Sequence, residues 1–204
     1  MRILSISIFH APSGSAATLL SSASDLTSFS FYQRRPVGQS LIFLANTVVE
    51  RTPEGQRQSV QENNYVAHVY NRGGTVQLAA VIITDQEYPV RAAFSVLTKV
   101  LDEFERSVPQ SRYAPNSSSS ANPIDFPELA TYLQKYQDPR QADTILNLQQ
   151  ELDETKIVLH KTIEAVLRRG EKLDDLVERS AILNEQTKTF YKLSKKQNSC
   201  CAIM

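Results

Sequence analysis

From Ile145 onward one stripe recurs in alternating steps of three and four: Ile145, Leu148, Leu152, Thr155, Leu159, Thr162, Val166, Arg169, Leu173, Leu176, Ser180, Leu183, Thr187, Phe190, Ser194 and Gln197. That spacing, held over seven heptads, is a coiled-coil seam. Arg169 is its one charged member. A guanidinium carries five donors and no acceptor, so once desolvated it needs partners that offer oxygen. Thr155, Thr162, Ser180, Thr187 and Ser194 add small or polar layers. A two-stranded zipper prefers apolar layers with at most one polar break. The seam therefore suits a mixed bundle whose other helices supply bulk and acceptors.

The rest of the chain divides sharply from this segment. All nine prolines lie at or before Pro139, and Gly170 is the only glycine after Gly74. The spacing predicts a helix beginning near Ala142. Fully helical to Gln197, it would extend roughly 80 Å. A domain this small cannot bury such a rod, so alone the segment is expected to be partly unfolded or folded back in pieces on the N-terminal part. The expected division is residues 1–137, a helix-forming segment at 138–198, and a tail at 199–204. Residues 108–124, rich in serine and proline, read as a mobile loop.

Residues 1–110 read as α+β. Strand character lies at 2–10, 59–70 and 78–84, and more weakly at 15–22 and 27–33. Ile6 and Ile8 alternate with Ser5 and Ser7, which suits a half-buried strand better than a signal-peptide core. Asn71-Arg72-Gly73-Gly74 reads as a hairpin connection. One helix is expected after Pro36, over Leu41–Val48 and stopped by Thr52-Pro53-Glu54-Gly55. A second follows Pro89 with Ala93, Val96, Leu97, Val100, Leu101 and Phe104 on one face, and a short one spans 127–137. This order implies an antiparallel sheet covered by helices.

The chain closes on Cys200-Cys201-Ala202-Ile203-Met204. Cys201 followed by two aliphatic residues and Met fits a prenylation box of the farnesyl type. Cys200 can take a palmitoyl group. Lys188, Lys192, Lys195 and Lys196 precede the pair, with no acid after Glu185, which favours an anionic membrane surface. A single acyl-type chain holds a protein only marginally, so the second signal acts as the reversible one. The strongest apolar run, Leu78–Ile83, is far short of the ~18 residues a membrane span needs.

Several chemistries are excluded. With 22 basic and 22 acidic residues there is no net field for nucleic acid. His10, His68 and His160 show no metal-ligand spacing. Ser13-Gly14-Ser15 lacks the spacing of a phosphate loop. Glu171, Asp174, Asp175 and Glu178, beside Lys172 and Arg179, read as a solvated helix face. Neither an enzyme nor a cofactor is expected, beyond the covalent lipids.

The run Val166-Leu167-Arg168-Arg169-Gly170-Glu171-Lys172-Leu173-Asp174-Asp175-Leu176, then Phe190 and the Cys-Cys-Ala-Ile-Met end, resembles the longin-type R-SNAREs, most closely their lipid-anchored branch. The likeness covers essentially the whole chain. It implies a profilin-like longin domain at 1–137 and a SNARE helix after it. It makes Arg169 the ionic-layer arginine, facing one glutamine from each of three Q-SNARE helices (Qa, Qb and Qc). It also implies vesicle docking and membrane fusion, from the cytosol and the cytoplasmic face of endomembranes: Golgi, ER–Golgi vesicles, and endosomal or vacuolar membranes. In such proteins the longin domain folds over the SNARE segment and shelters the lipid. Phe43 matches the contact residue for that closure, although a plain core phenylalanine would look the same in sequence. The competing reading is a prenylated coiled-coil trafficking adaptor that fuses nothing.

Overall fold

The computed structural model describes residues 1–113, 123–143 and 156–200, with side chains as far as residue 193. Strands β1 (Ile3–His10), β2 (Thr18–Ser24), β3 (Arg57–Glu62), β4 (Tyr65–Gly73), β5 (Leu78–Asp85) and β6 (Ile157–His160) form one sheet in the order β2-β1-β5-β4-β3-β6. The pairings among β1–β5 are antiparallel, and β6 joins β3 in parallel. The expected antiparallel sheet is thus a mixed one, because a segment from the far end of the chain supplies its sixth strand.

Helices α1 (Phe31–Glu50) and α2 (Val90–Ser107) cover opposite faces. Under α2 lie Ile3, Ile6, Ile8, Leu78, Ala80 and Ile82. Under α1 lie Leu4, Phe9, Val60, Ala67, Val81 and Ile83. Every residue of β1 is buried, so the strand expected to be half-buried is covered on both faces. On α2 the predicted face is the buried one: Ala93, Val96, Leu97, Val100, Leu101 and Phe104 are all fully buried. The helix ends where Val108 N–H closes on the Phe104 carbonyl at 2.9 Å and Pro109 follows, since proline has no N–H to continue the ladder. Helix α3 (Glu128–Lys135) anchors on Leu129 and Leu133. Gln137 beyond it binds both N–H and C=O of Ile3, at 3.0 and 2.8 Å. A single turn, α4 (Arg140–Asp143), follows.

Three local expectations change. The run at 59–70 is two strands joined at Asn63-Asn64, where Asn63 takes a left-handed φ of 53°; asparagine tolerates that conformation. Residues 27–33 are not a strand, because α1 begins at Phe31, ahead of Pro36. Its start is fixed by Ser30, whose N–H reaches Gln33 Oε1 at 3.3 Å. The weak strand at 15–22 lies slightly later, at Thr18–Ser24. At the described ends of the serine-rich stretch Val108, Tyr113 and Ile124 are buried, while residues 114–122 lie outside the described residues.

The C-terminal segment takes the form of pieces laid on the N-terminal part. After β6 come a 3-10 turn (Ile163–Val166), α5 (Leu173–Arg179) and α6 (Glu185–Cys200). The single helix expected from Ala142 is therefore not the form adopted among the described residues. Without partner helices the apolar stripe has only the sheet and α1 to bury against. Gly170 turns the chain with a φ of 87°, a left-handed conformation that glycine adopts without cost.

Candidate functional site

The site is the contact between this folded-back segment and the face formed by α1 and β3. β6 is aligned on β3 through Arg57↔Ile157, Gln58↔Val158, Ser59↔Leu159 and Val60↔His160. Directly after it, Ile163 N–H donates to Glu62 Oε2 at 3.3 Å and the Ile163 side chain enters the core beneath α1, fully buried. Val166 and Leu167 pack at the edge of the same cluster.

The chain then passes Arg168-Arg169-Gly170, all exposed, and Glu171 turns back. Arg51, just past the C-terminal end of α1, donates from Nε and Nη2 to the two Glu171 oxygens at 3.1 and 3.0 Å, and from Nη1 to Glu50 at 3.0 Å. The Arg51 side chain is only 7 % exposed. Such a two-pronged pair fixes orientation as well as contributing energy. Glu171 Oε2 also accepts the Arg168 N–H at 2.9 Å. That backbone donor, with the Arg51 guanidinium, holds the Glu171 carboxyl below its ordinary range. Glu171 was expected on a solvated face with Asp174, Asp175 and Glu178. The other three are exposed, and Glu171 is instead tied to α1.

Helix α5 buries Leu173 and Val177. Its acids Asp174 and Asp175 stand in the first turn, where they suit the positive end of the helix dipole. Asn184 Oδ1 accepts Thr187 N–H at 2.8 Å and so starts α6. Gln39 of α1 accepts both Asn184 N–H, at 3.4 Å, and Thr187 Oγ1–H, at 2.6 Å. Thr187 is 1 % exposed. Lys188 donates to the Glu178 carbonyl at 2.8 Å, and Lys192 pairs with the Glu178 carboxylate, linking α6 to α5. Tyr191 packs at the rim of the core under α1, and burial pushes its phenol up.

Phe43 is half-buried. It lines an open cleft of about 780 Å³ with Leu19, Ile42, Leu176 and Ile182, between α1 and the folded-back segment. Of the stripe, Leu173, Leu183 and Thr187 are buried, Val166, Leu176, Ser180 and Phe190 are half-buried, and Leu159, Thr162 and Arg169 are exposed. Ile145, Leu148, Leu152 and Thr155 lie outside the described residues, as does Cys201; Ser194 and Cys200 lie in α6 beyond the described side chains. Ile163 and Val177, off the stripe, are buried in its place. No regular spacing in the sequence marks them, nor Arg51 and Gln39, because their partners belong to a fold-back that breaks the helical period.

His10, His68 and His160 fall on β1, β4 and β6. His68 is held between Ser59 Oγ at 2.8 Å and Thr84 Oγ1 at 3.2 Å, and burial lowers its pKa to about 4. Among the described residues no three His, Cys, Asp or Glu side chains cluster to hold a metal ion, and no helix is long and apolar enough to cross a membrane.

Residues 26–133 match the longin family, described as a regulated-SNARE-like domain, and residues 144–202 match the synaptobrevin family. A synaptobrevin homolog, ykt6, of Schizosaccharomyces pombe is 55 % identical over 203 residues, covering 100 % of both chains. YKT6 of Saccharomyces cerevisiae, also a synaptobrevin homolog, is 51 % identical over 204 residues with the same coverage. The VAMP-like protein YKT61 of Arabidopsis thaliana is 49 % identical over 194 residues, 95 % of this chain and 94 % of its own.

Proposed function

The chain belongs to the longin-type R-SNARE family of synaptobrevin homologues, and from that premise we propose that it acts in vesicle docking and membrane fusion by lending its C-terminal segment to a parallel four-helix bundle with three Q-SNARE helices. The family is non-enzymatic, takes no cofactor and serves vesicle trafficking. The finer reading divides the chain into a longin domain at 1–137, a SNARE segment at 138–198 and a lipid-bearing tail at 199–204. Arg169 forms the ionic layer of the bundle. Cys201 carries farnesyl and Cys200 palmitoyl, holding the chain to the cytoplasmic face of Golgi, ER–Golgi, endosomal or vacuolar membranes.

One observation carries the reading. Three seam residues are buried, Leu173 in the core under α1, Thr187 against Gln39 of α1, and Leu183 between them in sequence, so part of the surface that a partner bundle needs is already occupied. A seam cannot be covered by both at once, and partner helices must displace the domain. The strand pairing adds little to the cost of displacement, which rests mainly on the buried Ile163, Leu173, Val177 and Leu183. β6 is a four-residue edge strand, and a hydrogen bond in water is worth a net ~1 kcal/mol. Arg169, exposed here, gives up little burial on leaving and gains three acceptors on arriving. The cleft beside Phe43 offers an apolar wall for the prenyl chain in the closed form.

The test is lipid mixing between vesicles bearing the farnesylated chain and vesicles bearing Qa, Qb and Qc helices. Mixing that falls steeply on Arg169→Ala supports the fusion reading. Recruitment without mixing, indifferent to Arg169→Ala, makes the chain an adaptor.

A further inference from the structure

The first turn of α1 presents Phe31 and Tyr32 to solvent, 86 % and 78 % exposed. The neighbouring Phe29 does pack against the core, so apolar cover is at hand and these two rings are turned away from it. Fully exposed aromatics of this size offer about 150–250 Å² each. The pair therefore reaches the range of the largest apolar patches on ordinary monomers, which are often functional. Arg34 and Arg35 stand beside them, both exposed. No acidic residue occurs between Asp25 and Glu50, and Asp25 is already paired with Arg2 at 2.9 Å.

We propose that Phe31, Tyr32, Arg34 and Arg35 form a docking surface for an anionic lipid bilayer, the rings entering the interfacial zone while the guanidinium groups meet lipid phosphates. Aromatic rings with a polar edge favour the interface, and arginines pair with phosphate in two-pronged fashion. The placement of α6 supports a bilayer as the occupant. Its Thr187 is bonded to Gln39, eight residues along α1 from Phe31 and so about 12 Å away. From there α6 carries Lys192, Lys195 and Lys196 towards Cys200. A chain tethered at that end would meet the same bilayer with α1 at high effective concentration. The contact would hold the closed form at a membrane through its longin domain, leaving the seam covered. This inference takes the membrane reading above only as the reason a bilayer is near, and its assay contains no partner helix.

The chain contains no tryptophan, so Tyr32→Trp installs a single fluorescent reporter. The full chain carrying Tyr32→Trp, with Cys200→Ser and Cys201→Ser to remove both anchors, is titrated with phosphatidylcholine vesicles with and without phosphatidylserine. The expected result is a blue shift with the serine lipid, quenched by brominated acyl chains. Adding Arg34→Gln and Arg35→Gln should weaken binding about fivefold for each arginine, with helicity unchanged. A Phe31→Ser change should remove the quenching. No shift with either vesicle overturns the proposal. So does a shift without vesicles that grows with protein concentration, which assigns the patch to a second copy. A shift without vesicles that appears only in a farnesylated chain with Cys201 restored assigns it to the protein's own tail and overturns the proposal as well. Any of these failures leaves the bundle assay free to succeed.

Discussion

Arg51 binds Glu171 through two hydrogen bonds, at 3.1 and 3.0 Å, across 120 residues of sequence. Arg51 closes the first long helix of the longin domain, and Glu171 follows the proposed ionic-layer arginine by two positions. The pair ties the domain to the middle of the segment proposed to leave it.

Breaking this pair should loosen the closed form. A hydrogen bond to a charged group contributes about 1.5–3 kcal/mol, so Arg51→Ala should raise the open population at least tenfold. The check is amide hydrogen exchange over residues 157–160, which should accelerate by the same factor. Glu171→Gln should act in the same direction, and a double-mutant cycle should show the two effects to be far from additive. The Glu171 carboxyl is held below its ordinary range in the closed form. The pair is therefore at full strength above that range, and its contribution disappears as pH falls through the lowered value.

Gly170 should govern the same equilibrium by a separate route. Its φ of 87° strains any residue with a side chain by roughly 1–2 kcal/mol, while in a continuous helix glycine is about 1 kcal/mol worse than alanine. Nothing lies within 4 Å of the position a Cβ would take, so Gly170→Ala acts through the backbone alone. It should favour the open, helical form by about 2–3 kcal/mol. Faster assembly with Q-SNARE helices, measured by stopped-flow, would register this.

Phe43 packs against the core under α1 and forms one wall of the cleft facing Leu176 and Ile182. A carboxylate there would set a charge against the apolar wall formed with Leu19, Ile42, Leu176 and Ile182 and lose part of its hydration. Phe43→Glu should expose the segment to limited proteolysis after residue 156 while leaving α2 and the sheet protected. A protection pattern identical to the parent's would remove Phe43 from the closure.

His68 gives the sheet core a pH dependence of its own. Its pKa is lowered to about 4 by burial, against an ordinary ~6.5. Between those values the unfolded chain binds the extra proton, so stability is complete above ~6.5 and declines as pH falls towards 4. The loss approaches about 3 kcal/mol and stops below that pH. Denaturant unfolding at steps from pH 7 to 4 should show this slope, and His68→Gln should flatten it.

The sequence was legible where a single period dominates. The α2 face follows from local pattern. The Asn71–Gly74 connection was placed too early: Asn71 and Gly73 still pair with Ala79 and Leu78 of β5, so the turn falls at 74–77. The C-terminal stripe is continuous enough to suggest one long helix. The same stripe conceals the fold-back. Ile163 and Val177 are buried here only because Gly170 and the edge of β3 interrupt the helix, and no heptad count selects them. Glu171 resembled its solvated neighbours because its partner lies in another part of the chain. The β3–β4 hairpin was missed because Asn63-Asn64 is flanked by β-prone residues that read as one strand. The start of α1 was misplaced because Pro36 looked like a boundary; it lies inside the helix as the sixth residue, where it takes one N–H out of the ladder.

The central claim is that these pieces become one helix when partners arrive. Circular dichroism of the full chain mixed with Qa, Qb and Qc helices tests it most directly. The account predicts a cooperative gain in helix beyond the sum of the parts, with a high melting point, lost when any one partner is omitted. No gain in any combination, or a gain from the chain alone through self-pairing, would contradict it.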